Sequence, residues 1–508
     1  MAGKVILVGA GPGDPGLITV RGLSWLATAD VVVYDYLAAP ELLAQAKPGA
    51  KLVYVGKKGG DHTLPQEGIN RLIVNEAKAG ALVVRLKGGD PFIFGRGGEE
   101  AEELVEAGIE FEVVPGVSSA IAAPAYAGIP LTHRAHTTSV AFVTGHEEAG
   151  KETSGIAWDH LATGIGTLVF LMGVKNLPDI CAELVKNGRR ADTPAALVRW
   201  GTRPEQQTVT GTLGDIVAKA RKAKIKPPAV FVVGTVVSLR SSLNWFENRP
   251  LFGRKILVTR SRAQASALVD QLGELGASCV EAPSIEITPP SDYGPMDRAI
   301  ENLGEFDWVA FTSANGVESF FRRLFSKGKD ARALGAARIA AIGPATAEKI
   351  REFGLLTDLI PEAYQAESVA EAFSRQPMTG KKVLLARAAK ARTVIPDELS
   401  KMGAHVTEVT AYETMPSPFD GAALAQRMMA GEIDMVTFTS SSTVENFVAA
   451  IPPDMLGPAM EKTTAAAIGP ITAKTAEKLG IKPAVVSREF TIPGLVAAIR
   501  SFYGTDKR

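Results

Sequence analysis

Cysteine is scarce in this chain of 508 residues: only Cys181 and Cys279 occur, far apart in sequence. That speaks against a disulfide framework or a thiolate metal site and fits a reducing compartment. Long apolar runs are also missing. No stretch approaches eighteen uninterrupted apolar residues, so no membrane-spanning helix is expected. Met1-Ala2-Gly3-Lys4 leads into a strand-like run without the apolar segment and cleavage site of a secretory signal, so the expected location is cytoplasmic. Net charge is absent too, with 55 Lys and Arg against 55 Asp and Glu. Bulk nucleic-acid binding is therefore not expected, and an acidic substrate must be held by local basic clusters. His133 and His136 are close in sequence, but no further ligands follow at metal spacing, and no metal is expected. Gly-Lys occurs at Gly3, Gly56, Gly150, Gly328 and Gly380, never followed by Ser or Thr, which excludes a P-loop.

What is present is glycine set between short apolar strands. The organising stretch runs from Val83 to Glu100. Strand character from Leu82 to Leu86 breaks at Gly88-Gly89, where two missing Cβ atoms leave the backbone bare for a ligand. Asp90 offers a carboxylate, Pro91 fixes the exit, and a second glycine cluster leads into Glu99-Glu100, suited to a first helical turn. Arg85, Lys87 and Arg96 flank this loop, which suits an anionic partner nearby and a cationic group beside Asp90.

Upstream, the strand Lys4 to Val8 enters a formal GxGxxG at Gly11, Gly13 and Gly16, and Asp35 ends the next strand, Val31 to Tyr34. Spacing alone permits a dinucleotide-dependent oxidoreductase. Pro12 and Pro15 argue against it, because they remove donors from a turn whose N–H groups would bind pyrophosphate. Lys51 to Val55, helix-like Gln66 to Ala79, Leu82 to Leu86, Glu99 to Ala107 and Phe111 to Val114 continue the alternation. The rhythm predicts an α/β fold with a mostly parallel sheet. Ligands of such sheets lie off the carboxyl ends of strands, where Pro12, Asp35, Lys57, Gly88 to Asp90 and Ser118-Ser119 fall.

These residues, with Val55-Gly56-Lys57-Lys58, Pro65-Gln66-Glu67, Val114 to Ser119 and Ala127 to Arg134, resemble uroporphyrinogen-III C-methyltransferase of the tetrapyrrole methylase family. The likeness covers about residues 3 to 245, with the motifs in order at family spacing. It implies a two-lobed methylase fold over residues 1–245, with S-adenosylmethionine as methyl donor and S-adenosylhomocysteine as its product. It also implies uroporphyrinogen III as substrate, and a homodimer through this half. Pro12, Gly88, Gly89, Asp90, Ile93, Ser118, Ser119, Met172 and Gly201 fall at the family's cofactor positions. Asp35 falls at the proposed proton acceptor and Lys57 at the proposed donor; spacing alone reads them as a turn carboxylate and a solvated lysine. Arg85, Lys87, Arg96 and Arg134 are candidates to pair with substrate carboxylates, since guanidinium forks match them.

Residues 246–254 read as a connector. Beyond it the chain repeats itself. Lys255 to Arg260 recurs as Lys382 to Arg387, Gly276-Ala277 as Gly403-Ala404, and Trp308 to Ser313 as Met435 to Ser440, each 127 residues on (382 − 255, 403 − 276, 435 − 308). Ala341 to Ala347 recurs as Ala467 to Ala473 after 126 (467 − 341). In each copy Thr-Ser and Ile-Gly-Pro-x-Thr-Ala open a helix, where N–H groups and hydroxyls suit carboxylates as well as simple capping. With Val409 to Thr414 leading to Pro416, these motifs resemble uroporphyrinogen-III synthase. That likeness implies two interleaved α/β lobes within residues 255–508, one of about 255–287 plus 417–508 and the other about 288–416. It implies closure of hydroxymethylbilane with loss of water. Tyr412 matches the tyrosine proposed as proton donor, and Ser313, Thr346, Ser440 and Thr472 are the substrate-binding candidates. The whole chain then reads as a bifunctional enzyme producing precorrin-2; a methyltransferase joined to a non-catalytic tetrapyrrole-binding module is the alternative.

Overall fold

The computed structural model describes residues 3–56, 64–146, 155–259, 262–282, 285–361, 366–391, 393–416 and 419–504. The chain divides into two compact units, Met1–Arg254 with Leu272–Ser278, and Lys255–Gln271 with Cys279–Arg508. The connector stretch 246–254 groups with the first unit, where Phe246 packs on Tyr126 at a ring distance of 4.8 Å.

In the first unit, β1 (Lys4–Gly9), β2 (Val31–Tyr34), β3 (Lys51–Tyr54), β4 (Leu82–Lys87) and β5 (Glu110–Val114) form an all-parallel sheet in the order β3-β2-β4-β1-β5. Successive side chains of β1 enter opposite cores. Val5 and Leu7 pack with Ile69 and Ile73 of the helix Gln66–Lys78; Ile6 and Val8 pack with Leu26 and Leu42. Burial on both faces is why β1 reads as one unbroken apolar run. Each such side chain contributes roughly 1.5–3 kcal/mol when fully buried.

The second lobe of this unit contains β6 (Val140–Thr144), β7 (Thr167–Leu171), β8 (Pro194–Arg199), β9 (Gln207–Thr212) and β10 (Ala229–Val233), ordered β6-β7-β10-β8-β9. Only β6 and β7 run parallel; the other three pairings are antiparallel. The mostly parallel expectation, drawn from the strands up to Val114, thus holds for the first sheet, whereas the second sheet, beyond its scope, is mostly antiparallel. A buried strand has the same apolar pattern in either direction, so pairing sense is invisible in composition.

The second unit has two sheets. One orders β12 (Ser278–Glu281), β11 (Lys255–Val258), β18 (Met435–Phe438), β19 (Thr464–Ala467) and β20 (Val485–Val486). The other orders β13 (Ile285–Thr288), β17 (His405–Pro416), β16 (Lys382–Ala388), β14 (Trp308–Phe311) and β15 (Arg338–Ala341). Aligning the repeat makes β12-β11-β18-β19 and β17-β16-β14-β15 equivalent runs, so the two lobes share one topology. The chain crosses between sheets twice, from β12 to β13 and from β17 to β18, which is the interleaving that the resemblance implies. Backbone geometry repeats with it. Ser313 and Ser440, each capping the helix after its strand, have φ of −163° and −162°. Gly343 and Gly469, each before a helix that opens with Pro, have φ of −170° and −176°.

Candidate active site

The carboxyl ends of the first sheet border a cavity of about 670 Å³, and loops of the second lobe line its other side. That size suits a small-molecule site. Its floor is built by close backbone approach. A Cβ placed on Gly9 would lie 2.5 Å from Gly116 Cα, and one on Gly116 would lie 2.3 Å from Gly89 O. Gly89 has φ +71° and exchanges backbone hydrogen bonds with Gly11. A Cβ on Gly89 would point toward the backbone of Ser118 and Ser119, 3.8 Å from the Ser119 nitrogen. Bare backbone therefore faces the start of the helix Ser119–Tyr126, whose cap is the buried Ser118.

Pro12, Gly88, Gly89, Asp90, Ile93, Ser118, Ser119, Met172 and Gly201 all line this one cavity, together with Asp35. Two details add to the sequence reading. Asp90 Oδ1 accepts the N–H groups of Phe92 and Ile93 (2.8 and 3.0 Å) and Oδ2 accepts that of Gly116 (3.0 Å). Its carboxylate thus ties the loop to the sheet as well as facing the cavity. The GxGxxG stretch runs into a short 3-10 turn, Pro15–Leu17, and the next helix begins only at Val20 under a Thr19 cap. No helix N-terminus stands at the third glycine to receive a pyrophosphate.

Arg85 and Lys87 line the cavity but are 3% and 4% exposed, and both are turned into the protein. Arg85 donates Nε to Glu100 Oε1 (3.2 Å), one terminal nitrogen to the Leu86 and Val33 carbonyls (3.1 and 3.4 Å), and the other to Asp35 Oδ2 (3.1 Å). Lys87 Nζ donates to Glu100 Oε1 at 2.8 Å. Both cations are thus engaged by protein acceptors, where the sequence reading offers them as partners for substrate carboxylates. Burial, with Arg85 nearby, holds the Lys87 ammonium below its ordinary value. Asp35 Oδ1 accepts the Leu37 N–H at 3.1 Å.

Arg96 lines the cavity, exposed, and pairs with Glu99 at 2.5 Å. Arg134 is exposed and outside the lining, so its reading as a substrate partner gains no support from geometry. Lys57 lies outside the described residues. Sequence reasoning missed Trp200, Phe94, His146 and Lys175, which also line the cavity. Of six non-glycine residues with positive φ among those described, four line it: Phe94 (51°), Arg96 (59°), Met172 (58°) and Trp200 (49°). Strain of this kind, of order 1–3 kcal/mol each, concentrates at functional sites. Trp200 also meets Tyr36 edge-on at 5.8 Å. Among the described residues no group of three or more His, Cys, Asp or Glu could hold a metal ion.

In the second unit Tyr412 is 8% exposed, and its hydroxyl lies 3.1 Å from Ser313 Oγ. The β16–β17 register shifts at Arg387/Ala388, where Tyr412 pairs with Ala388. Ser313 Oγ also accepts the Gly316 N–H at 3.0 Å, and Ser440 forms a capping box with Thr443. Both serines therefore act as caps. Thr346 and Thr472 are buried in the first turns of Pro344–Glu352 and Pro470–Lys478. Ser313, Thr346 and Tyr412 lie in one lobe, and Ser440 and Thr472 stand at equivalent positions in the other.

Residues 4–217 match the family model of tetrapyrrole (corrin/porphyrin) methylases, and residues 266–497 match that of the uroporphyrinogen-III synthase HemD. The porphyrin biosynthesis protein HemD of Ruminiclostridium josui is 42% identical over 494 residues, 97% of both chains. The uroporphyrinogen-III C-methyltransferase of Priestia megaterium is 56% identical over 236 residues, 46% of this chain and 99% of that protein. Among solved structures, uroporphyrin-III C-methyltransferase of Thermus thermophilus complexed with S-adenosylhomocysteine covers 47% of this chain and 100% of its own at 42% identity, with a TM-score of 0.41.

Proposed function

This chain belongs to the tetrapyrrole methylases and the uroporphyrinogen-III synthases, joined in one polypeptide, and on that premise we propose that it closes hydroxymethylbilane to uroporphyrinogen III and methylates that product twice to precorrin-2. The observation that carries the methylase assignment is the gathering of Pro12, Gly88 to Asp90, Ile93, Ser118, Ser119, Met172 and Gly201 around one cavity with Asp35. Methylase activity is assigned to residues 1–245 and synthase activity to residues 255–508.

S-adenosylmethionine supplies an electrophilic methyl group when bound. The bare backbone at Gly88-Gly89 and the helix start at Ser119 form the cradle that would hold it, in a cavity of matching size. Alignment is the main task of such a site, because an electron-rich pyrrole carbon needs little activation. Asp35, fixed by Arg85 and the Leu37 N–H, accepts the proton that the tetrapyrrole must lose, from a position other than the fully substituted carbon that takes the methyl group. Lys57 is the proton donor of the same reading. In the second unit, backbone amides beside Ser313, Thr346, Ser440 and Thr472 hold substrate carboxylates, and Tyr412 donates the proton that lets hydroxide leave as water.

The finer parts of this reading are a homodimer through the methylase half, a cytoplasmic location and no nucleic-acid partner. Balanced charge and two free cysteines support the last two. Supplying the full chain with hydroxymethylbilane and radiolabelled S-adenosylmethionine tests the whole reading. A doubly labelled type-III product is expected; a type-I product overturns the synthase assignment, and an unlabelled type-III product overturns the methylase one.

A further inference from the structure

Glu100 stands in the first turn of the helix Gly97–Glu106, where a carboxylate ordinarily faces solvent. Here it is 1% exposed. A single oxygen, Oε1, accepts from Arg85 Nε (3.2 Å), Lys87 Nζ (2.8 Å) and Gln66 Nε2 (3.2 Å). The other, Oε2, is buried without a hydrogen-bond partner. Burying a carboxylate with one oxygen unmet opposes folding, and apolar residues of similar volume would serve stability as well. A charged cluster under a cavity is instead a mark of function.

Its geometry shows what it does. The Arg85 guanidinium is held at Nε by Glu100 and at one terminal nitrogen by two carbonyls, which directs the remaining nitrogen to Asp35 Oδ2. Lys87 shares the same oxygen of Glu100, so the two cations face two carboxylates and Arg85 bridges Glu100 to Asp35. Gln66, which lines the cavity and also bonds Asn70 at 2.9 Å, locks the carboxylate from a second helix. We propose that Glu100 is a positioning residue for methyl transfer: through Arg85 it sets the orientation in which the Asp35 carboxylate faces the cavity. The inference rests on Asp35 as proton acceptor.

The test uses the full chain with uroporphyrinogen III supplied directly. Glu100→Gln lowers kcat about tenfold or more while KM for both substrates and the affinity for S-adenosylhomocysteine stay within about threefold. In an Asp35→Asn background, where single-turnover labelling reads the residual rate, Glu100→Gln lowers it less than about twofold, because the two residues act as one unit. An unchanged kcat in folded Glu100→Gln, a raised KM at constant kcat, or an equal loss in both backgrounds overturns the proposal. Should Glu100→Gln fail to fold, Arg85→Lys, which keeps the charge and loses the fork, is judged in both backgrounds by the same criteria. A wild-type rate in Asp35→Asn alone overturns the acceptor assignment beneath it. Loss in Asp35→Asn without loss in Glu100→Gln overturns the role of Glu100 only.

Discussion

Asp35 sits at the end of β2 with a quarter of its side chain exposed, bonded on both oxygens and open to the cavity. Asp35→Ala removes the proposed proton acceptor, and methylation is expected to fall by roughly 10²–10⁴-fold while cyclisation of hydroxymethylbilane continues. Labelled-methyl incorporation and product isomer analysis read the two activities separately; methylation at the wild-type rate would remove Asp35 from the mechanism. In the second unit, Tyr412→Phe loses the hydroxyl paired with Ser313, and cyclisation is expected to slow about a hundredfold. Methylation of supplied uroporphyrinogen III is expected to stay unchanged in that variant. Gly88 and Gly89 were readable in sequence because missing Cβ atoms announce a close approach. Trp200 was not, since nothing in a tryptophan signals a left-handed backbone, and Met172 was reached only through the family resemblance. Glu100 was readable only as a helix-start acid, because its burial depends on Arg85 and Lys87 arriving from β4.

At the scale of elements, the cavity floor depends on β1 and the loops after β4 and β5 meeting without side chains. Gly116→Ala brings a Cβ to 2.3 Å from Gly89 O, against backbone that has no rotamer with which to yield. Overpacking of this kind costs about 1–3 kcal/mol, so unfolding titration should show lower stability, and calorimetry weaker S-adenosylhomocysteine binding. Wild-type values for both would contradict the close approach. In the second unit, Asp297 staples its helix Gly294–Glu301 to Arg323 at 2.6 Å and Lys327 at 2.8 Å. Hydrogen bonding to Arg323 holds its carboxyl well below the ordinary value of 3.8. A depressed folded-state value stabilises above the unfolded value and is lost as pH falls through the folded one. Asp297→Asn should therefore lower Tm at neutral pH and flatten its decline below about pH 4. An unaltered pH profile would contradict the staple. The first sheet was legible because burial on both faces leaves continuous apolar strands. The antiparallel pairings of β8, β9 and β10 were not, because strand direction leaves no trace in an apolar run.

For the whole molecule, the repeat is the feature that sequence carried best: a steady offset survives divergence because each copy must place Ser and Gly-Pro at the same strand-to-helix turns. With one activity proposed for each of the two compact units, each activity is expected to be lost alone. Mixing Asp35→Ala chains with Tyr412→Phe chains should restore conversion of hydroxymethylbilane to the dimethylated product, since each supplies what the other lacks. Failure to restore it would mean that the activities are not separable. The central claim is that glycine backbone and a helix start, rather than a metal or a covalent link, hold the methyl donor. A crystal structure of the full chain with S-adenosylhomocysteine tests it most directly: density between Gly88 to Asp90 and Ser118-Ser119 is the predicted result, and density away from that loop would contradict the account.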